Sequence, residues 1–203
     1  MATEQQFVET IKIKDGRVQA IAYHQARMER TLRHFFPALC PAIIPSLAMV
    51  VVPNGEMDSY KARVVYGGQG IEAVTYAPYT MRDIHSLRVV EDDTIEYPFK
   101  STDRSRLNTL AAMRGDCDEV IIVRQGLLTD TSFTNLAIYD GRQWLTPRHP
   151  LLCGTKRAYL LDRGIIQEAD LTLTHLMKAR KVALFNAMIE LGEMEIPIKD
   201  ISL

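Results

Sequence analysis

Cysteine is scarce in this chain. There are three in 203 residues, Cys40, Cys117 and Cys153, widely spaced and odd in number. That count argues against a disulfide framework or a zinc cluster and fits a reduced, cytoplasmic setting. Charge of one sign is also lacking. The formal net charge is -1, which gives no electrostatic case for nucleic acid or an anionic membrane surface. Long apolar runs are missing. The longest lies around residues 47–53, far too short to span a bilayer. The first residues, Met1-Ala-Thr-Glu-Gln-Gln6, carry neither a basic start nor an apolar stretch, so no signal peptide is expected. Repeats and low-complexity tracts are absent too, which excludes solenoids and disordered linkers. A chain of ordinary soluble composition remains, 47% hydrophobic and 24% charged, long enough for one large domain or two small ones.

Periodicity gives a mixed α+β pattern. Residues 7–14 alternate as a strand, Asp15-Gly16 turns the chain, and residues 17–22 read as a second strand. Residues 23–36 follow a helical period that Pro37, Pro41 and Pro45 break. Strands are predicted over 61–66 and 70–76, turned by Gly67-Gly68, and over 85–90. The second half predicts a helix over 104–113, strands over 119–124, 136–139 and 144–146, and a helix over 157–163 stopped by Gly164. A short apolar segment at 171–173, a helix over 174–179 and a strand over 182–185 follow. The boundary is placed between a domain of residues 1–95 and one of residues 96–203.

The densest cluster of directional groups is Gly126-Leu-Leu-Thr-Asp-Thr-Ser-Phe-Thr-Asn135, between two apolar strands. One carboxylate, several hydroxyls and an amide are more than a solvent-facing hairpin needs. They suit a charged, flat, phosphorylated ligand. Asp130 could hold a pyridinium nitrogen protonated, or it could be an Asx-turn residue. Four other signals are individually modest. Lys100 follows Tyr97-Pro-Phe99 and could be a partly desolvated nucleophile or a surface lysine with a snorkelling stem. Arg27, in His24-Gln-Ala-Arg27, could clamp a phosphate bidentately or sit on a solvated helix face. Leu152-Cys-Gly-Thr-Lys-Arg157 puts glycine just before a helix, the geometry of an anion site or of a plain cap. Cys153 within it reads as a small, half-buried residue. Phe185-Asn-Ala-Met188 ends an apolar strand, where an amide and backbone N–H groups could meet a substrate carboxylate or simply form a turn.

In order along the chain these motifs resemble the class IV aminotransferases, the pyridoxal-phosphate enzymes of fold type IV. The resemblance begins at Val8-Glu-Thr10, Asp15-Gly16 and His24-Gln-Ala-Arg27. It runs through Lys100, Asp118-Glu-Val-Ile-Ile122, the 126–135 loop, Trp144-Leu-Thr-Pro147 and Leu152-Cys-Gly-Thr-Lys-Arg157. Phe185-Asn-Ala-Met188 is most similar to the 4-amino-4-deoxychorismate lyase branch. The resemblance implies a two-domain, D-amino-acid-aminotransferase-like fold, with a small N-terminal α+β domain and a β-rich C-terminal α/β domain. It implies pyridoxal 5'-phosphate as cofactor and a homodimer acting on a small amino-acid-like substrate.

It also implies residue roles. Lys100 would hold the cofactor as a Schiff base and shuttle protons. Arg27 and the N–H groups of Thr155 and Lys156, at Gly154, would bind the phosphate. Asp130 would pair with the ring nitrogen, Asn186 and Ala187 would lie near phosphate or substrate carboxylate, and Thr10 would approach the substrate. Four departures stand out. The family usually has Glu at Asp130, often Thr at Lys156, and in the lyases Asn at Asp103. The N-terminal part is also short, lacking an initial strand segment and trimmed between Arg27 and Lys100. The expected reaction is the lyase one. Transamination of a branched-chain or D-amino acid, or a degenerate non-catalytic relative, are the alternatives.

Overall fold

The structure is a computed structural model that describes residues 5–38, 44–53 and 59–203. Cys40 and Pro41 lie outside the described residues. The chain folds into two compact units. The first holds Met1–Thr80 and Phe99–Asp103, the second Met81–Pro98 and Arg104–Leu203. The sequence reading divided the chain at 95/96. The units instead part after Thr80, because the strand at 87–91 pairs with the second half of the chain, and Phe99–Asp103 returns to the first unit.

In the first unit β1 (Phe7–Lys14) is central. It pairs antiparallel with β2 (Arg17–Val18) on one side and β3 (Ser59–Gly67) on the other, and β3 pairs with β4 (Gly70–Pro78). Alternation sets the two faces of β1, although Val8 and Lys12 on the other face are also buried. Phe7, Ile11 and Ile13 are buried in a core with Met28 and Leu32 of α1 (Ile21–Phe35) and Leu47 of the short α2 (Leu47–Val50). Glu9 shares that inward face by parity and is fully buried. The second predicted strand is only two residues long, because Ala20 adopts a left-handed conformation (φ 51°) and α1 starts directly after it.

The second unit carries two sheets. One has the order β13-β5-β6-β7: β5 (Leu87–Glu91) and β6 (Glu119–Arg124) are parallel, β7 (Leu127–Leu128) is antiparallel to β6, and β13 (Ile201–Ser202) is parallel to β5. The crossover between β5 and β6 contains α3 (Ser105–Ala112), whose Leu107 and Leu110 pack on Val120 and Ile122. The other sheet has the order β10-β9-β8-β11-β12. Its strands are β8 (Asn135–Tyr139), β9 (Trp144–Pro147), β10 (Ile166–Ala169), β11 (Lys181–Phe185) and β12 (Glu195–Pro197). Leu160 of α4 (Thr155–Asp162) packs with Ala137, Ile166 and Phe185, and α5 (Leu173–Lys178) follows β10. The strand after α4, Ile166–Ala169, falls where the sequence reading assigned no element, and Leu171 of the short apolar segment is a buried loop residue. No described helix is long and apolar enough to cross a membrane.

Candidate active site

In the first unit the expected nucleophile is held by its main chain. The carbonyl of Lys100 accepts the Val8 N–H at 2.9 Å, and Phe7 and Ser101 form an antiparallel bridge. Just before it, Phe99 stacks on His34 with centroids 4.6 Å apart and meets Phe35 edge-on at 4.8 Å. Phe99, which marked Lys100 in the sequence, is thus the anchor of its segment. The Lys100 side chain is half-buried.

Beneath this lies a buried ionic network. Arg27 donates from Nε to Glu9 Oε1 at 2.9 Å and from Nη2 to Glu9 Oε2 at 2.5 Å, a fork-to-fork pair. His24 Nδ1 is 2.6 Å from Glu9 Oε2. Burial would raise the Glu9 pKa, but the Arg27 charge and the hydrogen bonds from His24 and Arg27 outweigh it, bringing the carboxyl down to about 2. Burial lowers the pKa of His24 against the pull of Glu9, and the charges of Arg27 and Lys100 push it the same way. Near neutral pH a neutral His24 therefore donates its Nδ1–H to an ionised Glu9. Arg27 is not on a solvated face, since only 5% of it is exposed. Thr10 is half-buried on the opposite face of β1 from Glu9, across from Arg63 of β3.

In the second unit the 126–135 loop folds onto the start of α4. Asp130 is 4% exposed. Its Oδ1 accepts from Asn135 Nδ2 at 2.8 Å and its Oδ2 from the Leu152 N–H at 2.8 Å. Asn135 Nδ2 also donates to the Leu152 carbonyl at 2.9 Å, so one amide ties the loop to the segment before α4. Gly154 is required there, because a Cβ on it would lie 1.9 Å from Asn135 Oδ1. Burial raises the Asp130 carboxyl to about 6, opposed by Leu152, Asn135 and the charge of Arg157. Neighbouring hydroxyls serve the loop itself: Thr131 Oγ1 lies 2.7 Å from Thr134 Oγ1, and Ser132 Oγ donates to the buried Glu119 at 2.8 Å.

Several expected ligands have other partners. Lys156 places Nζ 2.6 Å from Glu190 Oε2 and 5.4 Å from the Tyr159 ring centroid. Its ammonium thus meets a carboxylate. The Asn186 carboxamide accepts from the Met188 and Ile189 N–H groups at 2.8 and 3.2 Å and donates to the Phe133 carbonyl at 3.3 Å. It closes its own turn and pins it to the polar loop. Ala187, beside it, is half-buried. Cys153 is exposed rather than half-buried. Sequence reasoning assigned no role to Glu9, His24 or Asn135. The signal for the first two was a carboxylate at an inward β1 position and a histidine three residues before Arg27, on one side of α1.

These residues suit pyridoxal 5'-phosphate. Asp130 is a desolvated carboxylate with two hydrogen bonds and lone pairs to spare, the partner a pyridinium N–H needs. The eight-residue α4 begins at a glycine with no side-chain cap, so a phosphate there would meet backbone N–H donors and the positive end of the helix dipole.

The amino-transferase class IV family pattern matches residues 6–195. A Haemophilus influenzae protein of unassigned function is 35% identical over 181 residues, 89% of this chain and 96% of its own length. The aminodeoxychorismate lyase of Saccharomyces cerevisiae is 35% identical over 80 residues, 36% of this chain and 21% of that enzyme. Among solved structures, a Haemophilus somnus protein provisionally described as a 4-amino-4-deoxychorismate lyase is similar at 32% identity and a TM-score of 0.83. That match covers 94% of this chain and 100% of that one.

Proposed function

The chain belongs to the class IV aminotransferase family and is a pyridoxal-phosphate enzyme of fold type IV, and on that premise we propose that it is a lyase converting 4-amino-4-deoxychorismate to 4-aminobenzoate and pyruvate. The observation that carries the reading is the likeness, over nearly the whole chain, to the Haemophilus somnus protein described as such a lyase. When bound, the cofactor supplies a ring that withdraws electrons from the carbon bearing the substrate amine. Lys100 would hold the cofactor covalently until the substrate amine displaces it, and its freed amine would then take the proton from that carbon. The bond between the adjacent ring carbon and the ether oxygen would then break, the oxygen leaving with its electron pair as enolpyruvate, which takes up a proton to become pyruvate, and the remaining ring is aromatic. Asp130 holds the cofactor nitrogen protonated. The N–H groups of Thr155 and Lys156 at Gly154 bind the phosphate, with Arg27 as the cationic partner that Glu9 and His24 orient. Asn186 shapes the turn that presents Ala187 toward the substrate. Thr10 faces the substrate side. On this reading the enzyme is a homodimer acting in the cytoplasm; light scattering on the purified protein tests the oligomeric state.

Activity is tested by supplying aminodeoxychorismate with no amino acceptor. Stoichiometric pyruvate and 4-aminobenzoate support the lyase, whereas turnover only with an amino-acid and keto-acid pair makes the chain a transaminase. Lys100→Ala should abolish borohydride trapping of the cofactor. Trapping that persists means another lysine carries it.

A further inference from the structure

In the second unit the turn after β11 is held at both ends, and its two anchors belong to different parts of the candidate site. At its start the Asn186 side chain donates to the Phe133 carbonyl, in the loop that carries Asp130. The main chain closes the turn, since Asn186 and Ile189 exchange N–H···O hydrogen bonds of 3.2 Å each way. At its end Glu190 receives the Lys156 ammonium, with Nζ 2.6 Å from Oε2. The backbone under that carboxylate is fixed as well: the Glu190 N–H donates to Glu193 Oε2 at 2.7 Å, and the Glu193 N–H to the Glu190 carbonyl at 3.2 Å. Lys156 is the second residue of α4, at the helix end assigned to phosphate. Burial of the pair is uneven, with the Lys156 side chain 9% exposed and that of Glu190 44%. A cation in the first turn opposes the helix dipole, and a nearly buried ammonium is costly without a counter-charge. The first turn of α4 holds no acidic residue, so the counter-charge comes from the turn after β11. Arg157, the next residue, takes Glu168 of β10 instead.

We propose that Lys156 and Glu190 are positioning residues for substrate recognition. Their ion pair holds the turn of residues 186–190 against the first turn of α4, and it keeps the Lys156 ammonium on Glu190, so that α4 offers the phosphate its backbone N–H groups. The proposal rests on the reading of the α4 start as the phosphate site and of the Asn186–Ala187 turn as facing the substrate. Its consequence is a coupling between the two. An anion bound to the N–H groups of Thr155 and Lys156 steadies the first turn of α4, and the ion pair passes that order to the turn. By linkage, a substrate that orders the turn tightens the hold on the cofactor by the same factor. Asn186 supports this arrangement from the other end, because its side chain ties the same turn to the loop of Asp130. The turn therefore spans the ring-nitrogen side and the phosphate side of the candidate site, and both sides set its shape.

The test compares wild type, Lys156→Met, Glu190→Gln, the double variant and Lys156→Arg, each loaded with pyridoxal phosphate. Hydrogen exchange of residues 184–194 is followed by mass spectrometry, and cofactor half-saturation by absorbance. Thermal melts check that each variant is folded. Either single variant should speed exchange of this segment about fivefold, and the double variant no more than either one, the mark of a single shared interaction. Lys156→Arg, which keeps a cation of similar reach, should exchange like wild type. Half-saturation should move alike in Lys156→Met and Glu190→Gln, by less than about threefold. In turnover the KM rise should exceed the kcat loss in both. Unchanged exchange in the single variants, or effects that multiply in the double variant, overturns the proposal. Faster exchange with an unchanged KM also overturns it, since the pair then serves the fold alone. So does a Lys156→Met that needs at least about tenfold more pyridoxal phosphate beside a Glu190→Gln that needs no more than wild type, because the ammonium then serves the phosphate. Exchange and half-saturation are read without turnover. If they respond as expected while aminodeoxychorismate yields no pyruvate, the lyase reading falls, the positioning pair stands, and KM is measured with the amino-acid and keto-acid pair.

Discussion

At the scale of single residues Asp130 is the most informative. Its burial with only neutral hydrogen-bond partners lifts its carboxyl to about 6, above the ordinary 3.8. Native protein without cofactor therefore holds a proton between those values that the unfolded chain has released. Stability falls as pH rises through that window, by about 3 kcal/mol in total at about 1.4 kcal/mol per unit. Asp130→Asn should accordingly gain on the wild type by about that amount between pH 4 and pH 7 in the cofactor-free state, followed by thermal melts across pH. A difference that does not move with pH would refute the burial account. With cofactor bound the order should reverse, since a pyridinium nitrogen lowers the cost of the charge. The importance of Asp130 was legible from its crowd of polar neighbours. Its clamping by Asn135 and Leu152 was not, because residues 130 and 152 are brought together only by the packing of the loop on α4.

Two elements carry the site-forming geometry. On β1, Glu9 is an inward carboxylate whose ionisation is held by Arg27 and His24. Glu9→Ala leaves Arg27 a buried cation without its carboxylate and should cost about 3–5 kcal/mol in denaturant unfolding. The folded Glu9 pKa of about 2 is depressed below the ordinary 4.5, so this stabilisation is complete above pH 4.5 and is lost as pH falls toward 2. A variant that unfolds like wild type at pH 7 contradicts the pairing. At the start of α4, Gly154→Ala drives a methyl into Asn135 Oδ1. Overpacking of this kind costs about 1–3 kcal/mol. Because Asn135 also holds Asp130, the variant should need more pyridoxal phosphate to reach half-maximal absorbance. Half-saturation at the wild-type concentration would show that the loop relaxes without disturbing the site.

For the whole molecule, cofactor binding and folding are one equilibrium. Pyridoxal phosphate at about 100 times its Kd should stabilise the fold by about 2.7 kcal/mol, which raises Tm by about 5–10 °C in a chain of this length. Differential scanning fluorimetry checks it. Lys100→Ala should shrink the rise, and a wild-type melt indifferent to pyridoxal phosphate would contradict the assignment. By itself the sequence determined the alternation of β1, the helix after it, the order of the motifs and hence the family. Those are local facts, since period, turn residues and spacing act over a few positions. Only the tertiary structure decided where the chain divides, because Leu87–Glu91 finds its parallel partner some thirty residues later in Glu119–Arg124. It alone paired Arg27 with Glu9, Lys156 with Glu190, and the Asn186 amide with its own turn. A polar side chain's partner depends on which groups lose water together when the chain packs, and that choice is made in three dimensions.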